Sequence, residues 1–272
     1  MKFLEGLNSS LKAQVLVSLR DLWCHTSTAI EGNTLSLGET HFVLSEGLTV
    51  SGKPLKDHIE VHGHARAIDL VYALLGKDAI DERDLFLLHK AIIAENITDI
   101  YKPIGAWKNE PNYTSYVSST GKPALREYPL PANVPALMRQ WVERCNVTSA
   151  KELTQDEAVA AYASLHLAFV TIHPFFDGNG RMARLVSNLP VLKAGFPPVI
   201  VPKEDRKRYL ETVSAYQEKI ADLAALRAMN NLPLGDEFIA LCREYWKSTL
   251  EIVSQSRQMQ QAHLRRDQGL ER

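Results

Sequence analysis

The stretch from Ala158 to Arg184 constrains this chain more than any other. Ala158 to Ile172 is an apolar run of helical period. Pro174 ends that helix at His173, because proline lacks an N–H and disfavours helical geometry in the residue before it. Beyond the turn a second helical pattern opens near Asn179 and carries Leu185, Val186, Leu189 and Leu192. Gly178 and Gly180 therefore fall where the free N–H groups of a helix's first turn point outward. With no bulky side chain in the way, such a turn attracts an anion. Arg181 and Arg184 are three residues apart and share a helix face beside it. The pattern is a phosphate cradle with a candidate base, His173, at its edge.

The twelve residues His173-Pro174-Phe175-Phe176-Asp177-Gly178-Asn179-Gly180-Arg181-Met182-Ala183-Arg184 resemble the signature of Fic domains, His-Pro-Phe-x-(Asp/Glu)-Gly-Asn-Gly-Arg-x-x-Arg. Every specified position matches. At typical residue usage such a match arises by chance on the order of 10⁻¹¹ of the time, which sets it well above a generic glycine-rich loop. No Gly-Lys-Ser/Thr follows, so this is not a P-loop. The resemblance implies an all-α fold, a Fic-type helical bundle with a small β-hairpin flap. It also implies an enzyme that moves AMP from ATP to a Ser, Thr or Tyr hydroxyl of a protein. His173 is then the base, since a neutral imidazole near its ordinary pKa can take the hydroxyl proton. Gly178, Asn179 and Gly180 supply donors to phosphoryl oxygens, where positioned donors lower the transition state. Asp177 holds Mg²⁺, which typically takes one carboxylate plus phosphate oxygens. Arg181 and Arg184 bind the β- and γ-phosphates through their planar forks. Phe175 anchors the loop in the core.

A second element lies far upstream. Ser27-Thr28-Ala29-Ile30-Glu31-Gly32-Asn33 resembles the inhibitory motif of Fic proteins, (Ser/Thr)-x-x-x-Glu-(Gly/Asn). Ser27 and Glu31, four apart, point the same way on a helix, and Gly32 and Asn33 terminate it. The resemblance implies that Glu31 pairs with Arg184 and takes it away from the γ-phosphate, leaving the resting enzyme self-inhibited. The stretches Asn33-Thr34-Leu35 and Gly52-Lys53-Pro54-Leu55 are similar to the lead-in of the class that carries this motif N-terminally. In some members the same glutamate orients water for removing AMP, with the histidine protonating the leaving hydroxyl, which makes AMP removal a second activity for Glu31 and His173.

Between Gly105 and Val134 the helical period vanishes. Tyr113 to Ser119 is rich in β-formers, Thr120-Gly121-Lys122 reads as a turn, and Leu125 to Tyr128 reads as a return strand closed off by Pro129 and Pro131. Fic domains carry their flap here, pairing edge-on with the target segment, and Tyr116 and Val117 are the flap residues assigned to the active site. Gly105-Ala106-Trp107-Lys108 stands where the family usually has Gly-x-(Tyr/Phe)-Arg. Further on, Tyr209 and Gln217 are eight apart on one helix face. By resemblance that helix walls the adenine pocket, with Tyr209 against the base; the family often has Asn near the position of Gln217.

Helical period covers residues 8–30, 56–76, 81–95, 133–145, 154–172, 179–194, 203–226 and 234–260, and Thr154 with Glu157 forms a capping-box pattern. The expected organisation is an N-terminal extension with the inhibitory motif (1–60), a catalytic domain (61–230) and a C-terminal helix and tail (231–272). With 31 basic and 32 acidic residues the formal net charge is −1, which gives no electrostatic case for nucleic acid or a membrane surface. Three widely spaced cysteines fit buried thiols in a reducing compartment. With neither a signal segment nor a transmembrane run, the expected location is cytoplasmic. His58 and His62 share a helix face near His64, yet no third ligand completes a structural metal site. A homodimer is expected only because family members often regulate themselves that way. Two alternatives stay open: a divergent Fic transferase of another phosphate-containing group, and a nucleotide-binding regulatory module.

Overall fold

The computed structural model describes residues 1–93, 102–118 and 121–270. The described chain is helical apart from one antiparallel hairpin. At its centre is α6 (Gln155–Ile172), with twelve of its residues buried. A helix hydrophobic all round is driven to the middle of a bundle. Thr154 and Glu157 close the expected capping box, each side chain accepting the other's backbone N–H. Around α6 pack α5 (Val134–Ser149), α7 (Asn179–Val186), α8 (Leu189–Ala194), α9 (Arg206–Glu218) and α10 (Asp236–Leu270). The indole N–H of Trp141 on α5 donates to the Leu165 carbonyl at 2.9 Å, fixing the rotation of α5 against α6.

The N-terminal part builds a second layer. α1 (Ser9–Ile30) starts at Asn8, whose side chain accepts the Leu11 N–H, and packs on α3 (Leu55–Leu74), α2 (Leu37–Glu46) and α10. α3 packs in turn on α4 (Glu82–Ile93), and α1, α3 and α4 each touch α7. The signature helix therefore lies between two layers, with one contiguous apolar core running from Phe3 to Val253.

The differences from the predicted elements have local causes. The run 179–194 is not one helix: Pro190 cannot donate into the ladder, and the chain re-caps at Ser187-Asn188 before α8. The Asn188 amide donates to Arg184 O and Val199 O and accepts the Val199 N–H, which holds that break closed. The predicted 203–226 helix stops at Glu218. Beyond it the Asp222 carboxylate takes the Ala225 N–H, a turn-forming bond that competes with the helix. α10 runs ten residues past the predicted end, through a polar tail of good helix formers. α2 was not foreseen; only Thr40 and Val43 of its ten residues are buried, too few to print a period, and it forms through a Ser36/Glu39 capping box and a left-handed Gly47 stop. The predicted residues 94 and 95 of the fourth helix lie outside the described residues.

The hairpin pairs β1 (Tyr113–Val117) with β2 (Pro123–Glu127), Tyr113 opposite Glu127 and Val117 opposite Pro123. The return strand starts two residues earlier than predicted, with proline at its first position, and Tyr128 falls outside it. Ser119 and Thr120 of the predicted strand end and turn lie outside the described residues; Gly121 takes a left-handed φ of 77° and donates to Ser118 O. No helix among the described residues is long and apolar enough to cross a membrane.

Trp141→Ala tests the seating of α5 on the central helix. Its ring is fully buried, so the variant is expected to lose about 3–5 kcal/mol of unfolding free energy, read from the denaturant midpoint.

Candidate active site

The site begins where α6 ends. His173 caps that helix with φ 49°, the one non-glycine residue with positive φ among the described residues, and its N–H still donates to Phe169 O. The turn swings the chain through Pro174 and Phe175 into Gly178, which is left-handed (φ 76°) and caps α7. A Cβ on Gly178 would come 2.9 Å from Ile93 Cδ1, so glycine is required there for space as well as for conformation.

Asn179 is the strut of this loop. Its carbonyl oxygen accepts the Phe175 N–H at 2.9 Å and its amide nitrogen donates to Phe175 O at 2.8 Å. Phe175 is fully buried, stacked on the His89 ring at 3.8 Å and flanked by Trp107, which is the anchoring expected of it. His89 ties two further segments to the loop: its Nδ1 accepts the Gly105 N–H, so its Nε2–H donates to Asp177 O at 3.0 Å. Burial pushes the His89 pKa down to about 4, so the ring is neutral.

His173 is half-buried, its ring stacked on Tyr128 at 3.8 Å. Burial, and after it the charge of Lys108, pushes its pKa down to about 3, so it stands as a neutral imidazole, though with a pKa well below the ordinary value that the sequence reading assumes for the base. Its Nδ1 faces the amide nitrogens of Asn112 at 2.8 Å and Asn179 at 3.1 Å. Lys108 is buried and donates through Nζ to the Asn112 carbonyl oxygen at 2.6 Å and through its backbone N–H to Pro174 O. Asn112, Lys108, Tyr128 and His89 were not assigned to the site from sequence. Only Lys108 had left a signal, as the departure from the family's usual arginine.

The arginines point into different surroundings. Arg181 lies against α4 and reaches Asp177 at 3.4 Å; the Asp177 side chain is 74% exposed. Arg184 is buried, and all three of its guanidinium nitrogens are engaged. Nε donates to Ser27 Oγ at 3.1 Å, Nη2 to Ser27 O at 2.8 Å and to Glu31 Oε1 at 2.6 Å, and Nη1 to the Tyr209 hydroxyl at 3.4 Å. Glu31 caps α1, with Gly32 left-handed just beyond it. A Cβ on Gly180 would lie 2.8 Å from Glu31 Oε1, so the glycine admits the carboxylate to the first turn of α7. Burial alone would raise the Glu31 pKa; the charge and hydrogen bond of Arg184, with Arg181 and Arg206, outweigh it and hold the carboxyl below its usual range.

Tyr116 and Val117 sit on β1, and the Arg126 guanidinium lies 3.8 Å over the Tyr116 ring while bonding Ser214 on α9. Between hairpin and α9 is a cavity of about 700 Å³, lined by Tyr116, Arg126, Tyr128, Arg206 and Gln217 among others. Tyr209 is turned the other way. Only 2% exposed, it hydrogen-bonds His166 and Arg184, so it backs the site from the core and its ring is not free to lie against a base. Helix periodicity places a residue on a face but does not say whether that face looks at a cavity or at the core.

Residues 79–191 match the Fic/DOC family model. The chain belongs to the Fic/DOC family. It is similar to protein adenylyltransferase fic-1 of Caenorhabditis elegans, 34% identical over 209 residues, which are 76% of this chain and 37% of that one. It is also similar to protein adenylyltransferase Fic of Drosophila virilis, 34% identical over 67% of this chain and 35% of that one. The chain thus spans little more than a third of these relatives. Among solved structures, a Fic-domain-containing signaling protein from Bacteroides thetaiotaomicron superposes with a TM-score of 0.79 at 25% identity, over 94% of this chain and 92% of that one. A fragment of C. elegans Fic-1 gives 0.71 at 26% identity, over 94% and 69%.

The depressed Glu31 carboxyl makes a pH prediction. A carboxyl whose folded pKa lies below its unfolded value of about 4.3 stabilises the fold above that value and loses the contribution as pH falls through the folded one. Wild type is expected to exceed Glu31→Gln in denaturant midpoint near neutrality, with the gap closing below about pH 4. An equal gap at every pH would count against the ion pair.

Proposed function

We propose that this Fic-family chain transfers AMP from ATP to a hydroxyl side chain of a protein, and that its resting state is held inactive by Ser27 and Glu31. The observation that carries the reading is the fully engaged Arg184: the one signature arginine on the Glu31 side of the loop spends all its guanidinium nitrogens on Ser27, Glu31 and Tyr209.

In the transfer the hydroxyl oxygen attacks the α-phosphorus of ATP and its proton passes to His173. The bond from that phosphorus to the bridging oxygen breaks, and pyrophosphate leaves. The open N–H groups at Gly178–Gly180 meet the charge that builds on the phosphoryl oxygens, preorganised as a helix N-terminus must be. Arg181 takes the β-phosphate. Arg184 takes the γ-phosphate only after Glu31 has left it, because four of its five N–H donors are already held and both of those on Nη2 are spent on Ser27 O and Glu31. The cavity between hairpin and α9 takes the nucleoside and reaches both ends of the chemistry, since Tyr128 stacks on His173 and Arg206 bonds the Ile30 carbonyl beside Glu31. Gln217 lines it; Tyr209 supports it through Arg184.

Asp177 fits a divalent cation, being an exposed carboxylate at the phosphate cradle whose side chain makes one long contact among the described residues. Asp177 would hold Mg²⁺, whose charge would offset that of the phosphates.

Transfer is tested with ATP labelled at the α-phosphate, using wild type, Glu31→Gly and Glu31→Gly/His173→Ala. Strong labelling of protein is expected in the single variant alone, with the histidine change lowering it about 10²–10⁴-fold. Equal labelling of wild type and Glu31→Gly would overturn self-inhibition. Absence of label from all three would overturn AMP transfer.

A further inference from the structure

We infer that Nδ1 is the basic nitrogen of His173, and that Asn112, oriented by Lys108, caps this nitrogen until a hydroxyl takes its place. The inference rests on His173 being the proton acceptor of the proposed transfer.

The hydrogen bonds decide which nitrogen is which. The Asn179 carbonyl oxygen is committed to the Phe175 N–H, so the end facing His173 is its NH₂. The Asn112 carbonyl oxygen is committed to Lys108 Nζ, so its NH₂ also faces the ring and donates besides to Phe175 O at 2.9 Å. Two N–H donors converge on Nδ1, which must therefore be the acceptor. A neutral imidazole carries one proton, and here it sits on Nε2. A nitrogen already protonated cannot take a second proton from a hydroxyl at neutral pH. The free lone pair is at Nδ1, and the hydroxyl has to donate there.

Of the two amides on Nδ1, Asn112 is the one that lies outside the signature loop, beside the hairpin. Asn179 is locked by two backbone bonds to Phe175 inside its own loop. Asn112 directly precedes β1, and Tyr128, directly after β2, stacks on the face of the imidazole and donates its N–H to the Asn112 backbone carbonyl at 3.3 Å. Both ends of the hairpin thus grip the histidine, and a displacement of β1 carries Asn112 with it. Lys108 has no carboxylate partner among the described residues; buried beside the Tyr128 ring, it holds the Asn112 carbonyl and so aims the amide. Lys108 and Asn112 are positioning residues, and the hairpin becomes the element through which an arriving target strand uncovers the base.

Long-range ¹H–¹⁵N spectra of the histidine-labelled full chain, with His173 identified by its loss in His173→Gln, read the tautomer without ATP or target. Wild type is expected to show Nε2 protonated and Nδ1 bare. Asn112→Asp turns an acceptor toward Nδ1 and is expected to move the proton there. A wild-type ring protonated at Nδ1 would overturn the assignment, and an Asn112→Asp ring with the wild-type proton pattern would overturn the part given to Asn112; should the Asp variant not fold, the wild-type spectrum decides the assignment alone. The cap itself is read from conversion of ATP to AMP with water as acceptor. Adding Asn112→Ala to Glu31→Gly is expected to raise that rate about 2- to 10-fold, the loss of one competing hydrogen bond. A fall would overturn the cap, whereas no AMP from either protein would overturn the transfer reading and leave the nitrogen assignment standing.

Discussion

A single left-handed residue organises this protein's chemistry. α6 buries twelve of its residues, among them its whole last turn, and a helix so placed directs its C-terminal end into the core. At His173 the chain adopts a conformation that costs a non-glycine residue roughly 1–2 kcal/mol. The cost is offset locally: the His173 N–H keeps a helical bond to Phe169, and Phe175 drives its ring into the aromatic cluster of His89, Trp107 and Phe86. The turn lets the central helix of the fold end in a partly exposed imidazole. Every later contact of the site, from the Asn179 strut to the first turn of α7, is referred to that point.

The second organising feature is a charge placed where charge is expensive. A buried guanidinium is tolerable only if its donors are met, and leaving one uncompensated costs several kcal/mol. Arg184 satisfies this with a hydroxyl, a carbonyl and a carboxylate from the end of α1 and with the Tyr209 phenol from α9. The two layers of the molecule are thereby joined at the signature helix, and α1 cannot move away without a substitute anion arriving at Arg184. A phosphate is such an anion. The requirement that keeps the resting structure shut is thus the same one that makes it exchangeable, because only a group of like charge and geometry can replace Glu31 at no net loss of hydrogen bonds.

How much of this was legible in the sequence depends on how local each feature is. The signature loop was legible because its parts lie within twelve residues and its glycines, proline and asparagine each answer to a backbone need. Ser27 and Glu31 could be paired with Arg184 only through the family resemblance, since more than 150 residues separate them. Their i, i+4 spacing indicated a shared face but not what that face met. The ring around His173 was not legible. Asn112 and Tyr128 come from the two margins of the hairpin, with no period and no motif to mark them, and Lys108, in the segment before it, shows only as a departure from the family's usual arginine. Tyr209 shows the same limit from the other side: its helix was placed correctly, yet only packing determines that the ring faces His166 and Phe238 in the core. α2 escaped because it buries too little to leave a pattern.

Two positions of the resting site are thus filled by groups that imitate what the reaction would bring. Glu31 offers Arg184 a carboxylate where a phosphate would offer oxygens, and Asn112 offers Nδ1 an N–H where a substrate would offer an O–H. The two stand-ins hang from different elements, α1 and the hairpin, and among the described residues their side chains share no hydrogen-bond partner. Their effects are expected to combine nearly additively in free energy, since sites without shared partners couple weakly. On the proposed reading, release of Glu31 would open the nucleotide side alone and leave the base capped, while movement of β1 would uncover the base and leave Arg184 occupied. A chain built this way would respond fully only when both sides are engaged together, so that nucleotide and target each contribute to the readiness of the site without either having to touch the other.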